Sequence, residues 1–489
     1  MKIFLLRLTR AFSTINKNTW GIILLNLVIA LTQFIILTLI NQKLGKEILG
    51  VWSLVVAATS IGQISSFGLS NGLVRYLPEF FIKKEFKKAE TMVSTVTVSN
   101  FLFSLPLIIL LYFPIMMYAN HLLKGIPLNI FSSVIIWSMV GLFVNTLFSV
   151  YSFLFDALQK YYIRCIIQIA GWLLFLALSI ALMPTLKLKG VAIAYVSQAV
   201  FQFITARIVI ERMKIFNNRG KLFKFDRHTF KLIFSFGTKY QSISVLVIFF
   251  DPLVKFFITK GIGLTGTANY ELANKIVMQG RNLLVSANQV IIPKVVSHRT
   301  NHTLNEYFGK IAKRNLFLSV LMGLTILVLS PIAIILFSGH FDRILLLSIV
   351  IVNVGWVCNT ITSVHYYTCI GIDKLNKLVA LHLLYSLIAI ACFFILLKIG
   401  ISPLSAIAIP SLSLLIGSVY NSMVLSEIKS SFTWLQSNAF IYFILVSLIT
   451  FFIPVNSFFN SIILLLVFFL LFLFLFRTSL KNLIINRAL

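Results

Sequence analysis

Long apolar runs separated by short polar connections dominate the chain. Many of these runs reach about 20 residues, the length at which a helix crosses the hydrocarbon core of a bilayer. Their apolar residues are continuous rather than alternating, which argues against the strands of a β-barrel. The pattern therefore predicts an all-α polytopic membrane protein with about 14 transmembrane helices. A basic amphipathic segment, residues 1–18, precedes the first run and predicts an interfacial helix rather than a cleaved signal.

A basic, polar connection near the middle of the chain predicts a division into two halves. It contains the sequence NNRGK, which is typical of a flexible hinge. Six predicted spans precede this connection, and six of similar spacing follow it before a final pair. We therefore predict an N-terminal lobe at 1–210, a cytoplasmic linker at 211–231, a C-terminal lobe at 232–428, and a C-terminal helix pair with tail at 429–489.

A short internal repeat supports duplication of the lobes. Residues 44–54 read LGKEILGVWSL, and residues 262–272 read IGLTGTANYEL. Aligning Gly45 with Gly263 places Trp52 on Tyr270. Together with the matched number of spans, this predicts two pseudo-symmetric six-helix lobes around a central cavity.

Composition excludes an ordinary soluble domain. The chain has 489 residues, of which 59% are hydrophobic and 11% are charged. The formal net charge of +29 would suit a nucleic-acid-binding protein. However, the lysines and arginines concentrate in every second connection, as the positive-inside rule requires, and no nucleic-acid-binding module accompanies them. We therefore expect both termini in the cytoplasm and no nucleic-acid partner. The four cysteines lack metal-ligand spacing, so we expect them to pack in the core.

Ionisable residues lie inside the predicted seventh and eighth spans, between Ser235 and Arg299. A charge at the centre of a bilayer costs about 3 kcal/mol on insertion scales, so such groups must pair or face hydrated space. We therefore expect these two helices to line a polar interior. The residues concerned are Lys239, Asp251 and Lys255 in the seventh span, and Glu271, Asn274, Lys275, Arg281 and Asn288 in the eighth.

Asp251 and Lys255 are one helical turn apart, with the acid first, which favours an ion pair. One interpretation is a coupling or substrate-charge site in a cavity wall. The other is a self-neutralising pair that lowers the cost of membrane insertion.

The eighth span carries a wide polar face. Asn274, Arg281 and Asn288 recur every seven residues and so share one side of a helix. The face either holds helices together or forms a path for a sugar-phosphate headgroup, and an arginine suits bidentate contact with phosphate. Lys275 is free for the same contact unless Glu271 neutralises it. Arg75 and Lys239 lie near cytoplasmic helix ends, where lysine and arginine either extend to the interface or contact substrate phosphate.

Several motifs resemble those of a known transporter superfamily. A glycine-x4-glycine-x-aromatic phrase opens the second helix, and an arginine follows in FGLSNGLVRYLPEF. A seventh-helix aspartate precedes a glycine-rich turn and a Y-x-x-A-x-K phrase. The chain therefore resembles the multidrug/oligosaccharidyl-lipid/polysaccharide exporter superfamily, and within it the polysaccharide-flippase (Wzx-like) branch. The residues that carry the resemblance are Gly45, Gly50, Trp52, Arg75, Asp251, Gly261, Gly266, Tyr270 and Lys275.

This resemblance implies a function and a set of site residues. The implied activity is the translocation of a polyprenyl-diphosphate-linked oligosaccharide across the cytoplasmic membrane by alternating access, with no cofactor or metal. The partners are then the lipid-linked oligosaccharide and membrane lipids, with H+ or Na+ as candidate coupling ions. The predicted substrate-binding residues are Arg75, Lys239, Lys255, Asn274, Lys275, Arg281 and Asn288, and the predicted coupling residues are Asp251 and Glu271.

Two other functions remain open from the sequence. An ion-coupled multidrug or cation antiporter of the same superfamily needs acidic residues in its cavity, whereas basic residues dominate here. A membrane-embedded polysaccharide polymerase or ligase needs a large outer loop with paired charges. The predicted connections are short and no nucleotide-binding glycine-rich loop occurs, so we expect a transporter rather than an enzyme.

Overall fold

The computed structural model describes residues 17–62, 68–122, 128–213, 215, 225–288, 291, 295, 304–372, 374–423, 435, 437–453 and 457–477. Within these residues the regular structure is helical, which confirms the predicted all-α class. The helices are α1 Lys17–Leu44, α2 Lys46–Gly62, α3 Leu69–Ile82, α4 Phe86–Leu122, α5 Leu128–Ala157, α6 Tyr161–Arg212, α7 Arg227–Asn288, α8 Leu304–Ser338, α9 Arg343–Ile361, α10 Ser363–Gly371, α11 Leu375–Ile399, α12 Pro403–Met423, α13 Asn438–Phe452 and α14 Phe458–Leu475.

Helices α6 and α7 each contain two of the predicted spans, joined through a break in the helix. Helix α6 changes direction at Lys187, with φ 50° and ψ −133°. Helix α7 does so at Gly263, with φ 76° and ψ −173°. Each half of α6 and of α7 is counted as one membrane crossing, and α2–α3 and α9–α10 are each counted as a single crossing. The number of crossings then agrees with the predicted total of about 14.

The outward faces of the helices are apolar, as a lipid environment demands. In the described part of the chain, nine helices are long and apolar enough to cross a membrane. Only 17% of the residues of α14 are buried, and large side chains such as Phe459, Leu470 and Phe474 are exposed on it. In water this exposed surface would be unfavourable, and in lipid it is not.

The chain forms two compact units, each with its own core. The first comprises Met1–Leu37 and Leu54–Ile248. In it, Leu69, Leu73 and Leu77 recur every four residues on α3 and pack into a cluster that includes Phe155 of α5 and Ile210 of α6. The lobe boundaries predicted from the sequence stay a prediction.

The second unit comprises Thr38–Ser53 and Phe249–Leu489. One of its cores joins the C-terminal pair to α8 and α9, since Phe443 of α13 and Phe472 of α14 are fully buried beside Val320 and Val357. The C-terminal pair is therefore an integral part of this unit.

The aligned glycines of the predicted repeat share one backbone feature. Gly45 lies between α1 and α2 with φ 93°, and Gly263 lies at the break of α7 with φ 76°. Positive φ is accessible to glycine without steric cost, which gives a physical reason for glycine at both positions. The aligned residues Trp52 and Tyr270 are both buried.

Candidate functional site

Lys255 is the centre of a buried charge cluster in the second unit. Its side chain is 2% exposed, and its Nζ lies 2.7 Å from Asp251 Oδ2 and 2.7 Å from Glu271 Oε2. Asp251 is one turn earlier on α7, whereas Glu271 follows the break at Gly263. The ammonium group therefore joins the two halves of α7.

The remaining contacts of Glu271 complete the cluster. The Ser53 hydroxyl donates to Glu271 Oε2 over 3.1 Å, and Lys275 Nζ lies 3.8 Å from Glu271 Oε1. Glu271 is 2% exposed and Lys275 is 30% exposed, so Lys275 has access to the surroundings that Glu271 lacks. The two carboxylates and two ammonium groups cancel in charge.

A hydroxyl pair supports the break of α7 close to this cluster. Thr259 Oγ1 and Thr267 Oγ1 lie 2.7 Å apart, and Thr259 also donates to the Lys255 carbonyl over 2.7 Å. Both threonines are buried. The two halves of α7 are thus joined by an ion pair and by a hydrogen bond.

A polar chain leads from the charge cluster to Arg281. The Asn274 amide donates to Asp251 Oδ1 over 3.4 Å, and the Trp356 indole N–H donates to Asn274 Oδ1 over 2.7 Å. The Arg281 guanidinium lies over the Trp356 ring, with Cζ 4.7 Å from the ring centroid, a cation–π geometry. It also donates from Nε and from a terminal nitrogen to Asn359 Oδ1, over 3.1 and 3.0 Å.

Arg281 has no acidic partner among the described residues. Its partners are an amide oxygen and aromatic rings, and the ion pairs of this region all involve Lys255 or Lys275. A guanidinium held in this way keeps its charge, because arginine does not deprotonate in proteins. The charge of Arg281 is therefore the one that the cluster leaves uncompensated.

Tyrosines of α10 and α11 lie near Arg281. Tyr385 accepts a hydrogen bond of 3.2 Å from Asn359 Nδ2. The His382 ring packs edge-on against Tyr385 and Tyr366, at centroid distances of 5.7 and 5.9 Å. His382 Nε2 is buried and has no hydrogen-bond partner among the residues that the structure describes. The site thus combines an uncompensated cation, aromatic faces and an unused polar atom.

Asn288 extends the polar face further along α7. Its amide donates to Asn315 Oδ1 over 2.7 Å and to Ser363 Oγ over 2.8 Å. Asn315 in turn donates to the carbonyls of Thr360 and Ile361, beside the junction of α9 and α10. These contacts are what a packing role for Asn288 requires.

The structure brings most of the sequence-predicted site residues together. Six of them, Asp251, Lys255, Glu271, Asn274, Lys275 and Arg281, belong to the connected network, whereas Asn288 contacts a separate polar group. The side chains of Arg75 and Lys239 lie outside the described part of the structure. The roles assigned to these residues from the sequence stay predictions.

Ser53 and three residues with aromatic rings in the site escaped sequence reasoning. Trp356, His382 and Tyr385 sit in apolar runs and read as ordinary core residues. One signal was available: Trp356 and Asn359, like His382 and Tyr385, are three residues apart and so share a helix face. That signal gives no indication of which helix the face contacts.

Another ion pair, between Lys46 and Asp342, lies outside the membrane-spanning segments. Lys46, at the start of α2, pairs with Asp342, which is also the N-cap of α9 and accepts a hydrogen bond of 3.1 Å from the Leu345 N–H. Burial by itself raises the pKa of Asp342, but the hydrogen bonds from Lys46 and Leu345 outweigh it and hold the pKa below its usual value. Asn41 and Gln42 donate to the carbonyls of Phe337 and Leu336 in the same region.

Long apolar helices that enclose charged, hydrogen-bonded side chains are typical of a polytopic transporter. The sequence profile of the family described as "polysaccharide biosynthesis protein" matches residues 15–298. Because the match covers more than half of the chain, the protein belongs to this family. Among curated proteins, none matches the sequence significantly.

Solved structures with the same fold are membrane transporters. An inward-facing multidrug resistance MATE family transporter of the MOP superfamily is 14% identical with a TM-score of 0.68, over 84% of this chain and 99% of that one. The lipid II flippase MurJ, in an inward closed conformation, is 16% identical with a TM-score of 0.66, over 94% and 100%. A MOP superfamily transporter from Pyrococcus furiosus is 15% identical with a TM-score of 0.55, over 85% and 97%. At these identities the comparison establishes the fold.

Proposed function

We propose that this protein is a flippase that moves a polyprenyl-diphosphate-linked oligosaccharide from the cytoplasmic to the outer leaflet of the cytoplasmic membrane. The oligosaccharide is a repeat unit of O-antigen, capsule or exopolysaccharide. Membership of a polysaccharide biosynthesis family supports the glycan, and the fold shared with the lipid II flippase supports a lipid-linked substrate. Both termini lie in the cytoplasm in this proposal, in accord with the distribution of lysine and arginine along the sequence.

The observation that carries the proposal is the uncompensated charge of Arg281. Away from bulk water, an arginine without a carboxylate is unfavourable unless an anion binds to it. Stacking on Trp356 and two hydrogen bonds to Asn359 orient the guanidinium and leave it without a counter-ion in the described residues. A diphosphate supplies that counter-ion with bidentate geometry.

Neighbouring groups support binding of the rest of the headgroup. Lys275 is partly exposed and only weakly held by Glu271 at 3.8 Å, so it can contribute to neutralising the diphosphate. The partly exposed ring of Trp356 suits the apolar face of a sugar. The lipid tail remains in the bilayer while alternating access exposes the headgroup to the other side.

Replacement of Arg281 tests this proposal. We expect Arg281→Ala to reduce glycan export at least about tenfold, because a charge-assisted contact with the substrate is lost. Arg281→Lys should retain part of the export, since lysine keeps the charge but neither the fork nor the stacking. Export is measured as surface glycan in cells that depend on this protein for it, with the amount of protein in the membrane measured in parallel.

Arg207→Ala provides a matched control. Arg207 is 48% exposed, and its ion pair among the described residues is with Glu211 one turn away, an interaction worth less than about 1 kcal/mol. Glycan export by the Arg207→Ala variant should equal that of the unaltered protein. Unchanged export by Arg281→Ala, at normal protein levels, would remove Arg281 from the substrate site and with it the main support for the proposal.

The multidrug or cation antiporter is less well supported by the site. Its cationic substrates need free carboxylates, whereas here Asp251 and Glu271 are both paired with Lys255, and Lys275 adds a second positive charge beside Glu271. A drug-resistance assay separates the two functions: the flippase proposal predicts no resistance above that of cells without the protein. A membrane-embedded polymerase or ligase would instead lengthen or transfer the glycan chain, which analysis of the glycan products detects.

A further inference from the structure

The contacts of Lys255 resemble those of a bound cation. Its Nζ lies 2.7 Å from one oxygen of Asp251 and 2.7 Å from one oxygen of Glu271. The Ser53 hydroxyl lies 3.1 Å from the same Glu271 oxygen. Carboxylate and hydroxyl oxygens are the ligands that hard cations take in proteins. We propose that Lys255 is a tethered counter-ion, whose ammonium group occupies a monovalent-cation site formed by the carboxylates of Asp251 and Glu271, with the Ser53 hydroxyl orienting Glu271.

Charge balance indicates one cation and not two. Asp251 and Glu271 are opposed by Lys255 and Lys275, so the cluster is neutral with Lys255 in place. Among the described residues, the other polar groups near the two carboxylates are uncharged, namely the amide of Asn274, the phenol of Tyr270 and the hydroxyl of Ser53. Removal of the Lys255 ammonium therefore leaves a single negative charge, which one monovalent cation neutralises.

Exposure indicates how such a cation would reach the site. Lys255 and Glu271 are each 2% exposed, whereas the side chain of Asp251 is 41% exposed. An ion can thus approach past Asp251 once the lysine side chain no longer fills the space. The ammonium cannot leave by that path, because it is covalently attached to α7.

A fixed cation has a consequence for the transport cycle. While Lys255 stays in place, Asp251 and Glu271 exchange no ion with the medium, which replaces the coupling role predicted for them from the sequence. The tether also keeps the two halves of α7 joined across the break at Gly263 at all ion concentrations. This inference concerns α7 alone and holds for any substrate.

The test is a search for a Na+ site created by removing the lysine. The full chain is purified in detergent, and its unfolding temperature is measured in NaCl and in choline chloride at equal ionic strength. We expect Lys255→Ala to show a Na+-specific rise of about 3 °C beyond that of the unaltered protein, since it combines the missing charge with open space. Isothermal titration should then count one additional Na+ per chain.

Three further variants isolate the cause. Lys255→Met removes the charge but fills the space, and Lys255→Arg keeps the charge, so neither should gain a Na+ response. The double variant Lys255→Ala/Glu271→Gln is neutral again and should lose the gain. A response of Lys255→Ala no larger than that of the unaltered protein overturns the proposal, as does a gain that survives Glu271→Gln.

If Lys255→Ala folds poorly, its folding with and without Na+ tests the proposal. Recovery of folded Lys255→Ala only in the presence of Na+, with the double variant folded without it, supports the proposal. A Lys255→Ala chain that stays unfolded at every Na+ concentration while the double variant folds overturns it. Equal instability of the two overturns it as well, because packing of the lysine and not its charge is then the cause.

Discussion

Asp342 makes two stabilising interactions that can be separated by substitution. Its carboxylate pairs with Lys46 and caps the first turn of α9 through the Leu345 N–H. An asparagine retains a side-chain oxygen for the cap but loses the charge, whereas an alanine loses both. The pair is only partly exposed, at 25% for Lys46 and 13% for Asp342, so water screens it incompletely.

We expect Asp342→Asn to lower the free energy of unfolding by about 0.5–1 kcal/mol at pH 7, and Asp342→Ala by about 1 kcal/mol more. Because the pKa of Asp342 is lowered in the folded protein, its stabilisation is present above about pH 4 and is lost as the pH falls through the folded pKa. The difference between the unaltered protein and Asp342→Asn should therefore shrink on acidification. Thermal unfolding in detergent from pH 7 to pH 3 measures it.

Glu211→Gln is the control for this series, since Glu211 is 57% exposed and its pair with Arg207 contributes little. A gap between the unaltered protein and Asp342→Asn that is as large at pH 3 as at pH 7 would contradict the assignment of the stabilisation to the Asp342 charge.

At the scale of elements, α7 and the α9–α10 segment are joined by polar contacts in matching order. Asn274 contacts Trp356, Arg281 contacts Asn359, and Asn288 contacts Ser363. Both sets of residues advance together along the chain, so the two segments run parallel. One stripe on α7 therefore faces one stripe on α9–α10, because residues seven apart share one side of a helix.

The breaks in α6 and α7 differ in the residue that adopts the unusual backbone conformation. Gly263 has φ 76° and ψ −173°, a region open essentially to glycine alone. Lys187 has φ 50° and ψ −133°, which is unfavourable for a residue with a Cβ atom. The backbone conformation at the break is therefore unstrained in α7, where glycine adopts it, and strained in α6, where lysine does.

We expect Lys187→Gly to raise the free energy of unfolding by about 1 kcal/mol, and Gly263→Ala to lower it by about 1–3 kcal/mol. Lys189→Gly is the matched control. Lys189 is exposed and helical two residues away, so glycine there should be destabilising by about 0.5–1 kcal/mol. Thermal or denaturant unfolding of the three variants gives the comparison, and destabilisation by Lys187→Gly equal to that of Lys189→Gly would contradict the strain.

At the scale of the whole molecule, the charge distribution predicts which connections face the cytoplasm. Lys83 and Lys84 lie in a lysine-rich connection between α3 and α4, and both are exposed. His340 is exposed in the connection between α8 and α9, which is poor in lysine and arginine. The positive-inside rule assigns the first to the cytoplasm and the second to the outside.

A cysteine introduced at each position tests this assignment. In intact cells, a membrane-impermeant maleimide should label His340→Cys, while Lys83→Cys should react only after the membrane is opened. The native cysteines give little background, since Cys165, Cys358 and Cys369 are buried and Cys392 is partly so. The parent protein without a new cysteine is the control, and labelling of Lys83→Cys in intact cells would reverse the predicted orientation.

The sequence by itself determined the features that depend on neighbouring residues and on the solvent. Continuous apolar runs specify membrane helices because the bilayer leaves backbone groups no other partners. The pairs Asp251–Lys255 and Glu271–Lys275 follow from helix geometry, since residues four apart meet. Two of the glycines with positive φ, Gly45 and Gly263, were also visible as a short repeat.

Only the tertiary structure decided how these local features combine. It brought Glu271 and Ser53 to the Lys255 cluster, placed Trp356 under Arg281, and set His382 and Tyr385 beside it. It also assigned Thr38–Ser53 to the same unit as the C-terminal half of the chain. The physical reason is that helical periodicity fixes which side chains share a face, whereas the packing of helices distant in sequence fixes which faces meet.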